Sequence, residues 1–291
     1  FIGYESLRGQ GKVLALFIGE QQVESVSAGD DLIVVLDKSP FYGESGGQAG
    51  DTGVLSGNGV SLVVLDTTKD NETFLHICRL NEGTLTIGDK LDGEVDSRVR
   101  SATVLNHSAT HLLHAALRNV LGDHVNQRGS LVDAEKLRFD FSHFEPMTSE
   151  EVRTIERLVN DQIRQNSEIQ TEVMAIEAAR EKGAMALFGE KYSEEVRVLT
   201  MGNGYSVELC GGTHAVRTGD IGLFKIVAEQ GIASGIRRIE AVTGITAITS
   251  IETQDDLINV SSGILRADKG NYVDKVRSLV EQNKKLEKEV A

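Results

Sequence analysis

Along residues 1–95 apolar and polar positions alternate in short runs separated by Gly and Asn. Lys12 to Ile18, Asp31 to Leu36, Val60 to Leu65, Thr73 to Cys78 and Lys90 to Val95 each read as a strand with one buried face. Strands of this length and spacing predict a small antiparallel barrel. At residue 96 the period changes. Between residues 98 and 121, Ala102, Leu105, Ala109, Leu112, Leu113, Ala116 and Val120 fall on one side of a helix turning about 100° per residue. Asp96 or Ser97 is placed to cap that helix and Gly122 to end it. Beyond it the pattern predicts strands at Val125 to Val132 and Leu137 to Phe141, then a helix opened by a Thr148/Glu151 capping box and buried through Val152, Ile155, Val159 and Ile163. A helical stretch around Ala178 and Ala179 follows, then strands at Val196 to Met201, Tyr205 to Leu209, Leu223 to Val227 and Ile236 to Val242. From about residue 245 the chain turns helical, with a partial apolar stripe of Val273, Val276, Val280, Leu286 and Val290 among Lys and Glu.

The predicted class is α+β, in three parts: a β-barrel over 1–95, an α+β domain over 96–244 and a helical arm over 245–291. The arm has two readings, a solvated linker helix and a surface for homo-oligomerisation. The chain begins at Phe1 and stops inside a helical pattern, as expected of a segment of a longer polypeptide.

The polar side of the 98–121 helix carries His107, His111 and His114, with Arg100, Thr103, Thr110 and Arg118. Imidazoles four residues apart on one helical face aim at one point, as metal ligation requires. Far downstream, Cys210 and His214 repeat the spacing of four. Two or three imidazoles and a thiolate suit Zn2+, whereas calcium and magnesium prefer oxygen. A peptidase is disfavoured, because the helix reads His107-Ser108-Ala109-Thr110-His111, with Ser108 where His-Glu-x-x-His places its general base. The glycine-dense segment Tyr42 to Gly53 is either a wide turn between strands or a loop whose bare backbone admits a ligand, with Gln48 offering an amide.

Charge narrows the partners. Thirty Lys+Arg against 44 Asp+Glu give a formal charge of −14, so the chain as a whole does not attract nucleic acid, and any RNA contact must be local. Two well-separated cysteines, Cys78 and Cys210, suit a reducing cytoplasm. No apolar run is long enough to span a bilayer, so no membrane partner is expected.

Taken with the metal half-sites, five segments in order resemble the editing region of bacterial alanyl-tRNA synthetases and free-standing alanyl-tRNA editing proteins. They are Ser45-Gly46-Gly47-Gln48, His107-Ser108-Ala109-Thr110-His111, Gly183 to Tyr192, Glu208 to His214, and Arg237 to Gly244. The resemblance implies zinc ligands at His107, His111, Cys210 and His214, with His114 outside the set, and editing residues at Thr110 and Gln127. It also implies hydrolysis of the ester joining serine or glycine to the 3′ adenosine of tRNA(Ala), without the aminoacylation core. Gly46, Gly47 and Gln48 are then expected near the RNA end, and Arg100, Arg118, Arg128, Arg237 and Arg238, besides Arg217 and Lys225, are candidate phosphate contacts. The competing reading is a non-catalytic tRNA-binding module with structural zinc. Four protein ligands make a closed shell, so in the catalytic reading either one ligand yields to water, the metal becomes five-coordinate, or it only holds substrate.

Overall fold

Alternation in the first 95 residues closes a barrel. In the computed structural model, which describes residues 1–185, 193–268 and 270–290, the strands are β1 (Arg8–Ile18), β2 (Gln21–Val23), β3 (Ser25–Ser27), β4 (Asp31–Leu36), β5 (Gly53–Gly57), β6 (Val60–Asp70), β7 (Thr73–Glu82), β8 (Thr84–Thr86) and β9 (Lys90–Val95). One antiparallel sheet runs β2-β1-β4-β7-β6-β5-β9, and β1 pairs with β9 as well, so six strands form a ring and β2 is appended to β1. Closure removes the free sheet edges that would otherwise invite pairing with another chain. The inward residues, among them Val13, Leu16, Val34, Leu55, Leu62, Leu80 and Leu91, make a core of their own.

That core also holds a histidine. His76 donates from Nδ1 to the carbonyl of Val34 (2.8 Å) and faces the hydroxyl of Ser39 through Nε2 (2.6 Å). Burial pushes its pKa down to about 4. Between pH 6.5 and 4 the unfolded chain therefore binds a proton that the folded chain refuses, so stability present above pH 6.5 falls as the pH drops through this window. The expected loss is about 3 kcal/mol. Urea unfolding at pH 7 and pH 4 measures it, and a His76→Gln variant should lose most of this pH dependence.

After the barrel come α1 (Ser97–Leu121), β10 (Gln127–Val132), β11 (Leu137–Ser142), α2 (Ser149–Arg164), β12 (Gln170–Ala175), α3 (Ile176–Glu181), β13 (Glu195–Met201), β14 (Ser206–Leu209), β15 (Phe224–Ala233) and β16 (Ile236–Thr243). The sheet β10-β11-β16-β15 is covered by α1 and α2, and Leu112, Leu113, Phe139, Phe141, Ile155, Val159 and Phe224 fill the space between. Asp96 caps α1 by accepting from Arg98 N and Val99 N, and Thr148 with Glu151 forms the expected capping box on α2. A second sheet, β12-β13-β14, carries the segment leading to Cys210. β12 is mostly exposed and shows no apolar alternation, so the sequence pattern gives no sign of it. Of the Gly183 to Tyr192 segment, residues 186–192 lie outside the described residues.

Contacts divide the chain into two units, Phe1–Gly244 and Ile245–Ala291. The second holds α4 (Gly244–Leu265), apart from its first residue, and α5 (Tyr272–Val290). On α5 the apolar stripe stays uncovered, with Val273, Leu279, Val280 and Leu286 all exposed. No helix among the described residues is long and apolar enough to cross a membrane.

Candidate metal centre and its cavity

α1 is buried on both sides. Ala109, Leu112, Leu113 and Ala116 enter the core as their spacing demands, but His107, Ser108, Thr110, His111 and His114 are also buried, each at 6% exposure or less. The polar side lies under the segment that leaves β14. There Cys210 and His214 come down on His107 and His111, and one donor atom from each of the four lies within 4.8 Å of every other. Cys210 Sγ is 3.5 Å from His107 Nε2 and 3.2 Å from His214 Nε2. Those spacings are close to the edges, about 3.3–3.6 Å, of a tetrahedron with zinc bonds of about 2.0–2.3 Å.

Each imidazole is aimed by its other nitrogen. His107 donates from Nδ1 to Gln48 Oε1 (2.7 Å), and the amide is fixed because Oε1 also accepts from Thr213 N (2.9 Å) while Nε2 donates to Thr213 Oγ1 (2.8 Å). Glu208 spreads its two oxygens over His111 Nδ1 (2.6 Å) and His114 Nδ1 (2.9 Å). Ser108 accepts from Ala215 N (3.0 Å) and lies 3.4 Å from His214 Nδ1. The residue that stands where a peptidase would hold its base therefore contacts the His214 imidazole instead. Outer partners of this kind set tautomer and ring angle at metal sites. They turn Nε2 of three imidazoles inward, and His111 Nε2 is buried with no hydrogen-bond partner, as is Nε2 of His114 outside the cluster. The donor chemistry and the two Cys210–imidazole spacings fit Zn2+.

Burial raises the Cys210 thiol pKa, but His107, His214 and His111 outweigh it and hold the group well below its usual value. Burial lowers the His111 pKa, but before a cation binds Glu208 and Cys210 overcome it and raise the value to about 10, so a metal would have to displace a proton there. Burial likewise opposes the charge on Glu208, and His111 and His114 overcome it, leaving the carboxylate pKa at about 2. Gly212 is needed for space: a Cβ there would lie 2.1 Å from His107 Cε1.

The centre opens on a cavity of about 440 Å³. His107, His111 and Cys210 line it together with Thr110, Gln127, Gly46 and Arg197, so the two expected editing residues and the donors face one space. Several expected RNA contacts are placed elsewhere. Gln48 is fully buried and serves His107. Gly47, with φ +84°, lets the loop touch Ser130, where a Cβ would stand 2.5 Å from a carbonyl oxygen. Arg100 is corrected outright: it is buried, paired with Asp51 and bonded to Gly3 O (2.8 Å) and Pro40 O (3.1 Å), with no face left for a phosphate. Arg118 is held by Asp123, Arg237 by Glu229 and Arg238 by Asp140. Arg128 lies on β10 with its side chain at the surface. Among the described residues the cavity's own cations are Lys69 and Arg197, neither of which stands out in the sequence. Glu208 was equally hidden. Its only sequence signal is a carboxylate between apolar neighbours in a strand, which calls for a buried partner.

Residues 1–99 match the family model described as tRNA synthetases class II (A). Residues 196–240 match the threonyl and alanyl tRNA synthetase second additional domain. The whole chain is 55% identical to the alanine-tRNA ligase of Saccharophagus degradans and 52% identical to that of Pseudomonas entomophila, and spans 33% of the length of each.

Proposed function

From a chain that corresponds along its whole length to a third of an alanine-tRNA ligase, we infer the part of such an enzyme that removes a wrong amino acid from tRNA(Ala). The proposed reaction is hydrolysis of the ester linking serine or glycine to the terminal ribose, at a zinc site held by His107, His111, Cys210 and His214. The observation that carries this reading is a single one: His107, His111 and Cys210, three of four clustered donors, share a cavity with Thr110 and Gln127.

Such a site answers a physical need. A pocket shaped for alanine discriminates against glycine by only about 1–3 kcal/mol, and excludes one added hydroxyl little better, so a second site with another criterion is required. Thr110 supplies that criterion for serine. Its hydroxyl donates to Asn106 O (2.9 Å), which leaves its lone pairs to accept from the seryl hydroxyl. An alanyl ester has no such donor, and a glycyl ester gains nothing from this contact. Gln127, the first residue of β10, offers a side-chain amide to the same cavity. Zinc, when bound, supplies Lewis-acid polarisation of the ester or of a water. Gln48, Glu208 and Ser108 hold the imidazoles in the ligating tautomer, and Cys210 Sγ, facing His107 and His214, is committed as a ligand instead of an acyl acceptor.

The closed shell of four donors also favours a second reading, a tRNA-binding module with structural zinc. Hydrolysis of seryl-tRNA(Ala), glycyl-tRNA(Ala) and alanyl-tRNA(Ala) by this chain, before and after treatment with a chelator, decides between them. The expected result is release of serine and glycine but not alanine, abolished by the chelator while the circular dichroism spectrum is kept. Loss of the spectrum along with the metal, or hydrolysis that persists without it, would sink the proposal.

A further inference from the structure

Past the donor cluster the cavity is lined by Phe1, Tyr4, Tyr42, Phe74 and Arg197. Tyr4 is 49% exposed, yet its ring is held in three ways. Its hydroxyl donates to Gly211 O at 2.5 Å. The guanidinium of Arg197 lies 4.3 Å from the ring centroid. Phe1 meets it edge-on, with centroids 4.8 Å apart at 82°. Phe1 is itself braced by Tyr42 at 5.8 Å and by Phe74 at 5.8 Å. Exposed side chains ordinarily keep their rotamer freedom and lose it on binding. A ring already immobilised avoids that cost, so a flat ligand meets a preorganised face.

Arg197 adds a second, independent feature. It donates to Cys210 O (3.2 Å) and Gly212 O (2.6 Å), both neutral, and no carboxylate among the described residues pairs with it. Its remaining partner is the Thr171 hydroxyl (3.4 Å), and a cation on a cavity wall whose partners are all neutral complements an anion. A π face and an unneutralised guanidinium beside it match a nucleotide, since unpaired bases at RNA ends are recognised by stacking on aromatic rings and their phosphates by arginine.

We propose that Tyr4, backed by Arg197, is the platform on which the terminal nucleobase of the tRNA 3′ end stacks, with the charge of Arg197 complementing the adjoining phosphate. This rests on the cavity being the aminoacyl-ester site. The base is held on the N-terminal segment while the ester reaches the donors, and the Tyr4–Gly211 hydrogen bond ties the two ends of the site together.

Calorimetric titration tests the platform with two stable probes, the 3′-seryl amide of adenosine 5′-monophosphate and the same molecule with its base removed. Against the full chain, Tyr4→Ala should weaken the adenine probe between about 5-fold and 150-fold, the range for losing one base–aromatic stack, and leave the abasic probe unchanged. Tyr4→Phe, which keeps the ring and loses only the hydrogen bond to Gly211, should weaken the adenine probe less than Tyr4→Ala does. Equal weakening of both probes by Tyr4→Ala would overturn the platform and leave the hydrolytic reading standing. Adenine-dependent binding by a chain that cleaves no ester would support the platform and sink hydrolysis. If the unaltered chain binds neither probe, both fall.

Discussion

Replacing Cys210 by alanine is expected to abolish both zinc retention and release of serine from seryl-tRNA(Ala) while leaving the chain folded. Disturbing an outer partner of a metal ligand typically costs roughly 10–100-fold in affinity or activity, so removing the ligand itself should exceed about 100-fold. The fold should survive because Cys210 sits beyond the end of β14, at the margin of the core that α1 and α2 form with the four-stranded sheet. The chain carries its own control. Burial pushes the Cys78 thiol up to about 12, and its Sγ donates to His76 O (3.4 Å) inside the barrel. At pH 7 a thiol reagent should therefore modify Cys210 in the chelator-treated chain and spare Cys78, and added zinc should protect Cys210. Elemental analysis, ester hydrolysis and peptide mapping measure the three effects. An alanine variant that still binds zinc with the original affinity would remove Cys210 from the proposed centre.

The second large effect concerns stability. Arg100→Met should cost about 3–5 kcal/mol in urea unfolding, because it leaves the Asp51 carboxylate buried and without its counter-charge. Side chains of both partners are 5% exposed or less. The same loss strips the hydrogen-bond donors from Gly3 O and Pro40 O. Adding Asp51→Asn should recover most of the deficit, since the amide oxygen still accepts from Tyr42 N, now contacted by Asp51 Oδ2 at 2.6 Å, and no charge is stranded. A single variant within about 1 kcal/mol of the parent would contradict this account.

The fate of Arg100 shows where reading a sequence stops. Its place on the histidine side of α1 was legible, as were the barrel alternation, the helix caps and the two donor pairs four residues apart, because each depends on spacing within one segment. What Arg100 meets depends on Asp51, 49 positions earlier, and nothing local encodes that pairing. Gln48 follows the same logic. A glutamine in a glycine-rich loop has the composition of a ligand-contacting group, and only the return of Thr213 to the loop turns it into a brace for His107. Glu208, Tyr4 and Arg197 were silent for a like reason: one carboxylate, one half-exposed ring and one arginine gain meaning only through partners from distant elements. Periodicity separates the apolar and polar sides of α1, but the polar side is covered by the segment after β14, a long-range event that periodicity does not reach.

The loop that delivers Gln48 leaves the barrel, pairs with β10 through Ala49 N to Val132 O (2.9 Å) and Val132 N to Gly47 O (2.7 Å), and ends on an imidazole of α1. The four donors come from two stretches of polypeptide, but their geometry depends on a third. Grafting the histidine helix and the cysteine segment onto a foreign scaffold would transfer every candidate donor atom and still leave the His107 ring without its brace. Whoever transplants this centre, in the laboratory or over evolutionary time, has to carry the barrel's loop along with it.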